Sequence, residues 1–249
     1  MTSISMRRSE RLALTEAIGA LQFEAAWPTL RSLALGLDEP LLVRLAAVSA
    51  LARMDRARGE LVLLQAARSG RPQVRGAALA ELGAERFAGG AARAALEQAL
   101  SDPSETVRLV AVEGLAIIGD HRSASALRGC LSASSAVLDE VGARVIRALR
   151  CLRDFASAAE IIGLAVKARE PLFVECLRFV RELPSDRAIR ALLENSDPAF
   201  GARRWQLLEL LIPSQIAERP VEQDIEAWRR WWETRDGAPL YRDGRPQWR

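Results

Sequence analysis

The stretch DEPLLVRLAAVSALARM, Asp38 to Met54, decides the fold. Pro40 suits the first turn of a helix, where its missing N–H costs nothing. Behind it Leu42, Val43, Ala46, Ala47, Ala50 and Leu51 recur at helical spacing and predict one apolar face. Asp38 and Arg44 bracket the helix start, and the same frame is written again further on. It returns as DPSETVR from Asp102 to Arg108 and as DPAFGAR from Asp197 to Arg203. SGRPQVR, Ser69 to Arg75, puts serine in place of the aspartate, and REPLFVE, Arg169 to Glu175, exchanges the two charges. A phrase that returns about every 32 residues is the mark of a stacked-repeat solenoid, in which each helical pair buries its apolar face against the next.

Composition agrees with that reading. Aromatics make up 5% of the chain, and Ala, Leu and Arg fill the space instead. Small alanines let short helices pack closely, and the alternating β-branched runs of strands are absent. The expectation is an all-α chain. Lys167 is the sole lysine, so nearly all the positive charge is arginine. With 35 basic against 32 acidic residues, the balance speaks against a dense polyanion-binding surface. Codon usage in a G+C-rich genome explains the arginines more plainly. Cys130, Cys151 and Cys176 form no CxxC pair and lie in apolar helical patterns, which predicts buried free thiols in a reducing compartment. With His121 as the single histidine, no zinc site and no other cofactor is expected. The first residues, MTSISMRRSERLAL, have no apolar core of the signal-peptide kind, and no stretch approaches the length of a membrane span. A cytoplasmic protein without membrane contact is expected.

Taken in order, the chain predicts helices from about Ser9 to Leu21, with Leu12, Ile18 and Leu21 facing inward, and from Glu24 to Leu35. From there two kinds of helix alternate. Those following the Pro turn span 40–54, 72–82, 104–118, 136–152, 171–183 and 198–211 and are expected to build a concave face. Those preceding it begin near Gly59, Ala91, Ser123, Ala156 and Asp186. As the end of the stack, the first helix is expected to carry an extra polar face. The proposed organisation is a repeat solenoid over residues 1–211, a capping helix within 212–235 and an irregular tail over 236–249. In the capping helix Ile225, Trp228, Trp231 and Trp232 form one apolar stripe. Tyr241 and Trp248 give the tail two apolar anchors, which leaves open a disordered end or a segment lying in a groove.

The Pro turn, the Val-Arg phrase and the helical pairing over residues 10 to 211 resemble HEAT repeats, most closely the short bacterial kind that includes phycobilin lyase-like repeats. The WRRWWE helix is similar to the C-terminal caps of such proteins. The resemblance implies a right-handed α-α superhelix, a HEAT-like α-solenoid of about six helical pairs with a Trp-rich C-terminal capping helix. It also implies a ladder in which Asp and Arg of neighbouring repeats bond, placing Asp38, Arg44, Arg75, Asp102, Arg108, Asp197 and Arg203 on its rungs. Ser69, the exchanged Arg169 and Glu175, and the blurred phrase in VLDEVGARVIRALRCL depart from it and predict an interrupted ladder.

For function the pattern implies a protein–protein interaction scaffold or adaptor, binding a protein or peptide partner on its concave face without chemistry. No HExxH, GxSxG or Gly-rich phosphate loop is present, and His121 has no spaced nucleophile and carboxylate. The candidate binding residues are Arg75, Arg108, Glu113, Arg144, Arg147, Arg178, Trp228 and Trp232. Arg75, without an aspartate in its own repeat, is the first candidate for a free ligand-facing arginine. A nucleic-acid-binding solenoid is the alternative; it requires Arg44, Arg75, Arg108, Arg144, Arg147 and Arg178 to converge unpaired. A lyase or chaperone for a chromophore-bearing protein is implied by the repeat subtype alone.

Overall fold

A computed structural model describes residues 8–132, 140–169, 171–195, 201–212, 214, 216, 219–220, 223–235, 239–242 and 244–247. Among these the chain is all-α apart from one short hairpin. Its helices are α1 (Arg8–Leu21), α2 (Trp27–Leu35), α3 (Leu41–Met54), α4 (Arg56–Ala66), α5 (Pro72–Leu82), α6 (Gly90–Ala99) and α7 (Glu105–Ile118). They continue as α8 (His121–Ser132), α9 (Glu140–Cys151), α10 (Ala158–Lys167), α11 (Leu172–Glu182), α12 (Asp186–Glu194), α13 (Gly201–Leu211) and α14 (Ile225–Thr234). The turn Asp197–Pro198, the start of the helix expected from Ala136, and Trp248 lie outside the described residues. No described helix is long and apolar enough to cross a membrane.

Local chemistry sets the helix starts. Asp55 accepts the Arg58 N–H at 2.9 Å, Ser185 the Ala188 N–H at 3.2 Å and Asp224 the Glu226 N–H at 3.0 Å, each satisfying an amide that has no partner within its helix. Asp120 does the same for Arg122 and Ser123 at the head of α8. Pro72 opens α5, and Pro40 stands just before α3 with its φ already at −56°.

The chain divides into two compact units, residues 1–127 and 128–249. In the first, α1, α3, α5 and α7 pack successively as one layer, and α2, α4 and α6 form the other. Val43, Ala47, Ala50 and Leu51 of α3 are buried, as the periodicity predicts, and Leu30, Leu63, Leu79, Leu82 and Leu96 are buried in the same unit. Each fully buried leucine contributes about 1.5–3 kcal/mol. Leu42 departs from the expected face and is 62% exposed. Between α5 and α7 the backbones come so close that a Cβ on Gly83 would lie 2.7 Å from the Gly114 Cα, so both positions require glycine. The first helix corrects one expectation: Leu21 is exposed rather than inward, and Leu14 is exposed with it, alongside Ser9, Glu10 and Glu16.

In the second unit α9, α11 and α13 pack in sequence, as do α10, α12 and α14. Ile146, Leu149, Ile161, Ile162, Phe179, Leu192, Leu207 and Leu208 make its core. The tail is built into this unit. Strands β1 (Tyr241–Arg242) and β2 (Arg245–Pro246) form an antiparallel hairpin whose bend uses Gly244 at φ +74°, a conformation glycine adopts without strain. Leu240 is fully buried, and the Tyr241 hydroxyl donates to the Leu211 carbonyl at 2.5 Å. The Leu240 and Tyr241 amides both donate to Asp186 at 3.0 Å, while burial raises the Asp186 pKa above the usual carboxylate range. The cysteines are free, but only Cys176 is buried, its thiol pushed up to about 12 by desolvation. Cys151 is exposed and Cys130 half-buried, against the expectation that all three are inside.

Candidate interaction site

The arginine frame of the first unit is spent on the fold. Arg44, 2% exposed, donates from Nε to the Ala34 carbonyl at 3.3 Å and from Nη2 to the Ser69 hydroxyl at 3.1 Å. Arg75 donates through Nε and Nη2 to the two oxygens of Asp102, at 2.8 and 2.7 Å, in a bidentate pair. Its Nη1 turns back to the Ser69 carbonyl at 2.9 Å, and Arg108 repeats that motion to the Asp102 carbonyl at 2.9 Å. Arg75 is therefore not the free arginine expected of it. Its aspartate comes from the next repeat. The hydrogen bond from Arg75 holds the Asp102 pKa below the usual carboxylate range against the opposing effect of burial. Ser69 does not interrupt the ladder either, because its hydroxyl accepts where a carboxylate accepts one repeat later. Arg44 finds its bonds away from Asp38, and burial first, then the neighbouring Arg71, lower its pKa.

The second unit uses the frame differently. Arg203 sends Nη1 back to the carbonyls of Ala165 and Ala168 at 2.9 and 2.8 Å, at the C-terminus of α10, with its guanidinium 4.4 Å from the Phe173 ring centre. One repeat earlier Glu175 takes the arginine position, and its side chain is 4% exposed. A buried carboxylate requires cations. Arg147 of α9 donates from Nη2 at 3.2 Å, and Arg178, one turn along α11, donates from Nη1 at 2.6 Å, both to the same oxygen, Oε1. The two arginine side chains remain 49% and 54% exposed. Further along the same two helices Arg150 meets Glu182 at 2.5 Å, and Arg144 meets Glu140 at 3.2 Å.

Arg147 and Arg178 are thus brought together by one buried anion, and they form the best built surface for a ligand group. Each guanidinium carries five donors, of which Glu175 takes one. Planar forks held side by side suit a carboxylate of a partner. The remaining candidates lie elsewhere. Arg75 and Arg108 belong to the first-unit ladder, and Glu113 is exposed on α7.

Trp228 is 3% exposed, which removes it as a contact residue. It sits 6.4 Å from Trp205 and 5.7 Å from Trp231, whose ring is 6.3 Å from Trp232. This chain of indoles seals α14 onto its unit. Trp232 is half-buried and lines a cleft of about 610 Å³ with Asp186, Arg190, Arg229 and Arg235. The ladder implied by the resemblance already placed Asp102 on a rung, whereas Glu175 as an anion shared by two arginines was not expected. The exchanged charges of REPLFVE were the available signal for Glu175.

Residues 60–150 match the family of HEAT repeats. A comparison with curated proteins finds no match.

Proposed function

We propose that this HEAT-repeat protein is a non-enzymatic scaffold or adaptor that grips an acidic segment of a partner protein through Arg147 and Arg178. HEAT repeats generally serve as protein-interaction scaffolds and are typically non-enzymatic. The observation that carries the finer reading is the shared bond of both arginines to one oxygen of buried Glu175, with half of each side chain left at the surface. Fixing two cations in place before the partner arrives removes part of the ordering cost of binding. The nucleic-acid alternative draws less support, since Arg44 and Arg75 are tied within the first unit and Arg108 to its own turn. A cytoplasmic setting belongs to the same proposal and is supported by three free cysteines.

The test uses the purified chain as bait in a native cell lysate, with and without nuclease. Recovery of one protein in stoichiometric amount, insensitive to nuclease and lost in an Arg147→Ala/Arg178→Ala variant, is the expected outcome. Nuclease-sensitive recovery, or recovery untouched by the double substitution, contradicts it.

A further inference from the structure

On the reading of Arg147 and Arg178 as the contact pair, we infer that the partner segment carries a phosphorylated side chain, held by these two arginines together with Arg181. Leu172, Cys176, Phe179 and Val180 turn α11 toward the core, and Arg178 and Arg181 leave its opposite, exposed side. Arg147 reaches the same place from α9, tied to Arg178 through Oε1 of Glu175. Arg181 pairs with no described carboxylate. It stands three residues beyond Arg178, so the two side chains start from neighbouring points of one helix ridge, about 5–6 Å apart at Cβ. Like charges so placed repel, and an anion shared between them relieves that repulsion.

Charge and donor count choose the group. Together α9 and α11 carry five arginines against three glutamates, an excess of two positive charges. Arg144 and Arg150 are matched by Glu140 and Glu182. The excess therefore falls on Arg147, Arg178 and Arg181, which surround the single carboxylate of Glu175. A partner carboxylate brings one negative charge and two oxygens. A phosphomonoester brings close to two charges at neutral pH and three acceptor oxygens. That matches the excess and gives each of the three guanidinium groups an oxygen of its own. Glu175 takes one N–H from each of Arg147 and Arg178, so both forks keep donors for the incoming anion.

The probes are fluorescent peptides of about ten residues, with aspartates flanking a central phosphoserine, glutamate or serine, titrated with the full chain by anisotropy. At about pH 7.5 the phosphoserine peptide is expected to bind at least about tenfold more tightly than the glutamate peptide, as one added charge-assisted contact provides. The advantage should shrink toward about pH 5, where the phosphate, whose second pKa is about 6, becomes a monoanion. Arg181→Gln, at an exposed side chain with no partner to strand, is expected to remove the phosphoserine advantage and leave glutamate binding unchanged. Arg178→Gln leaves Arg147 on Glu175 and should weaken both peptides. Arg31→Gln, the same loss of charge at an exposed arginine of α2, should change neither. Equal affinity of the phosphoserine and glutamate peptides, or an advantage that survives Arg181→Gln, overturns the inference and leaves the acidic-segment reading standing. Binding of neither peptide, or binding of both untouched by Arg178→Gln, overturns that reading and the inference with it.

Discussion

The two units place the same kind of residue to opposite ends. In the first, Arg44 and Arg75 turn into the neighbouring repeat, where a serine and an aspartate at equivalent positions receive them. In the second, the arginine position of α11 holds Glu175, and the cations come from α9 and from the next turn of α11 itself. Reversing one buried charge moves the arginines outward, because a short glutamate reaches its partners at the edge of the layer while a long arginine threads inward. The lesson is that a repeat frame tolerates a charge exchange when both halves of the pair remain satisfied, and that the exchange converts stabilising arginines into available ones.

Substitutions test that contrast at both ends. Arg75→Ala strands Asp102, 10% exposed, beside an empty partner position and is expected to cost about 2–4 kcal/mol in urea unfolding. Arg75→Lys should recover part of the loss, as an ammonium lacks the bidentate fork. Glu175→Gln, which leaves two arginines facing a neutral amide, is expected to cost about 1–2 kcal/mol by the same measurement. Tyr241→Phe removes one hydrogen bond between the hairpin and Leu211 and should cost about 1 kcal/mol, read as faster amide exchange in the tail.

Acid separates the units by sign. Asp102 titrates below its unfolded value of about 3.9, so its stabilisation is present above that pH and is lost as the pH falls through the lower folded value. Asp186 titrates above its unfolded value, so the folded state favours the protonated form. Stability from that site falls as the pH rises from about 3.9 through the higher folded value. Asp102→Asn should therefore flatten the acid limb of a stability–pH curve. Asp186→Asn should remove a decline on the other side while still offering an amide oxygen to Leu240 and Tyr241.

The helices were legible in the sequence because their signals are local: a proline or aspartate to open, a glycine to close, and the 3.6-residue apolar period between. Arg75 was legible in part: the ladder implied by the resemblance put it on a rung, but its lack of an aspartate in its own repeat read as a free arginine, whereas its partner lies 27 residues away in the next repeat. Leu21 was misplaced for a related reason. Period shows that a helix has a face, but among the described residues α1 packs chiefly on α3, whereas α3 packs between α1 and α5. The buried anion at Glu175 was half visible, as a frame with its charges exchanged, while the sharing of one oxygen by Arg147 and Arg178 depends on the distance between α9 and α11. In the tail, which reads as irregular in the sequence, neither the short hairpin nor the docking of Leu240 onto Asp186 was expected.

The central claim is that arginines of the first unit serve the fold and the pair on α9 and α11 serves a partner. Measuring urea stability and lysate capture side by side, for Arg75→Ala and for Arg147→Ala/Arg178→Ala, tests it most directly. The double variant strands the buried carboxylate of Glu175 and is expected to lose about 2–4 kcal/mol, comparable with Arg75→Ala, and also to lose its partner. Arg75→Ala should lose stability and, under conditions where it remains folded, keep the partner. A double variant that retains full capture while folded, or an Arg75→Ala variant that loses the partner while still folded, would contradict the account.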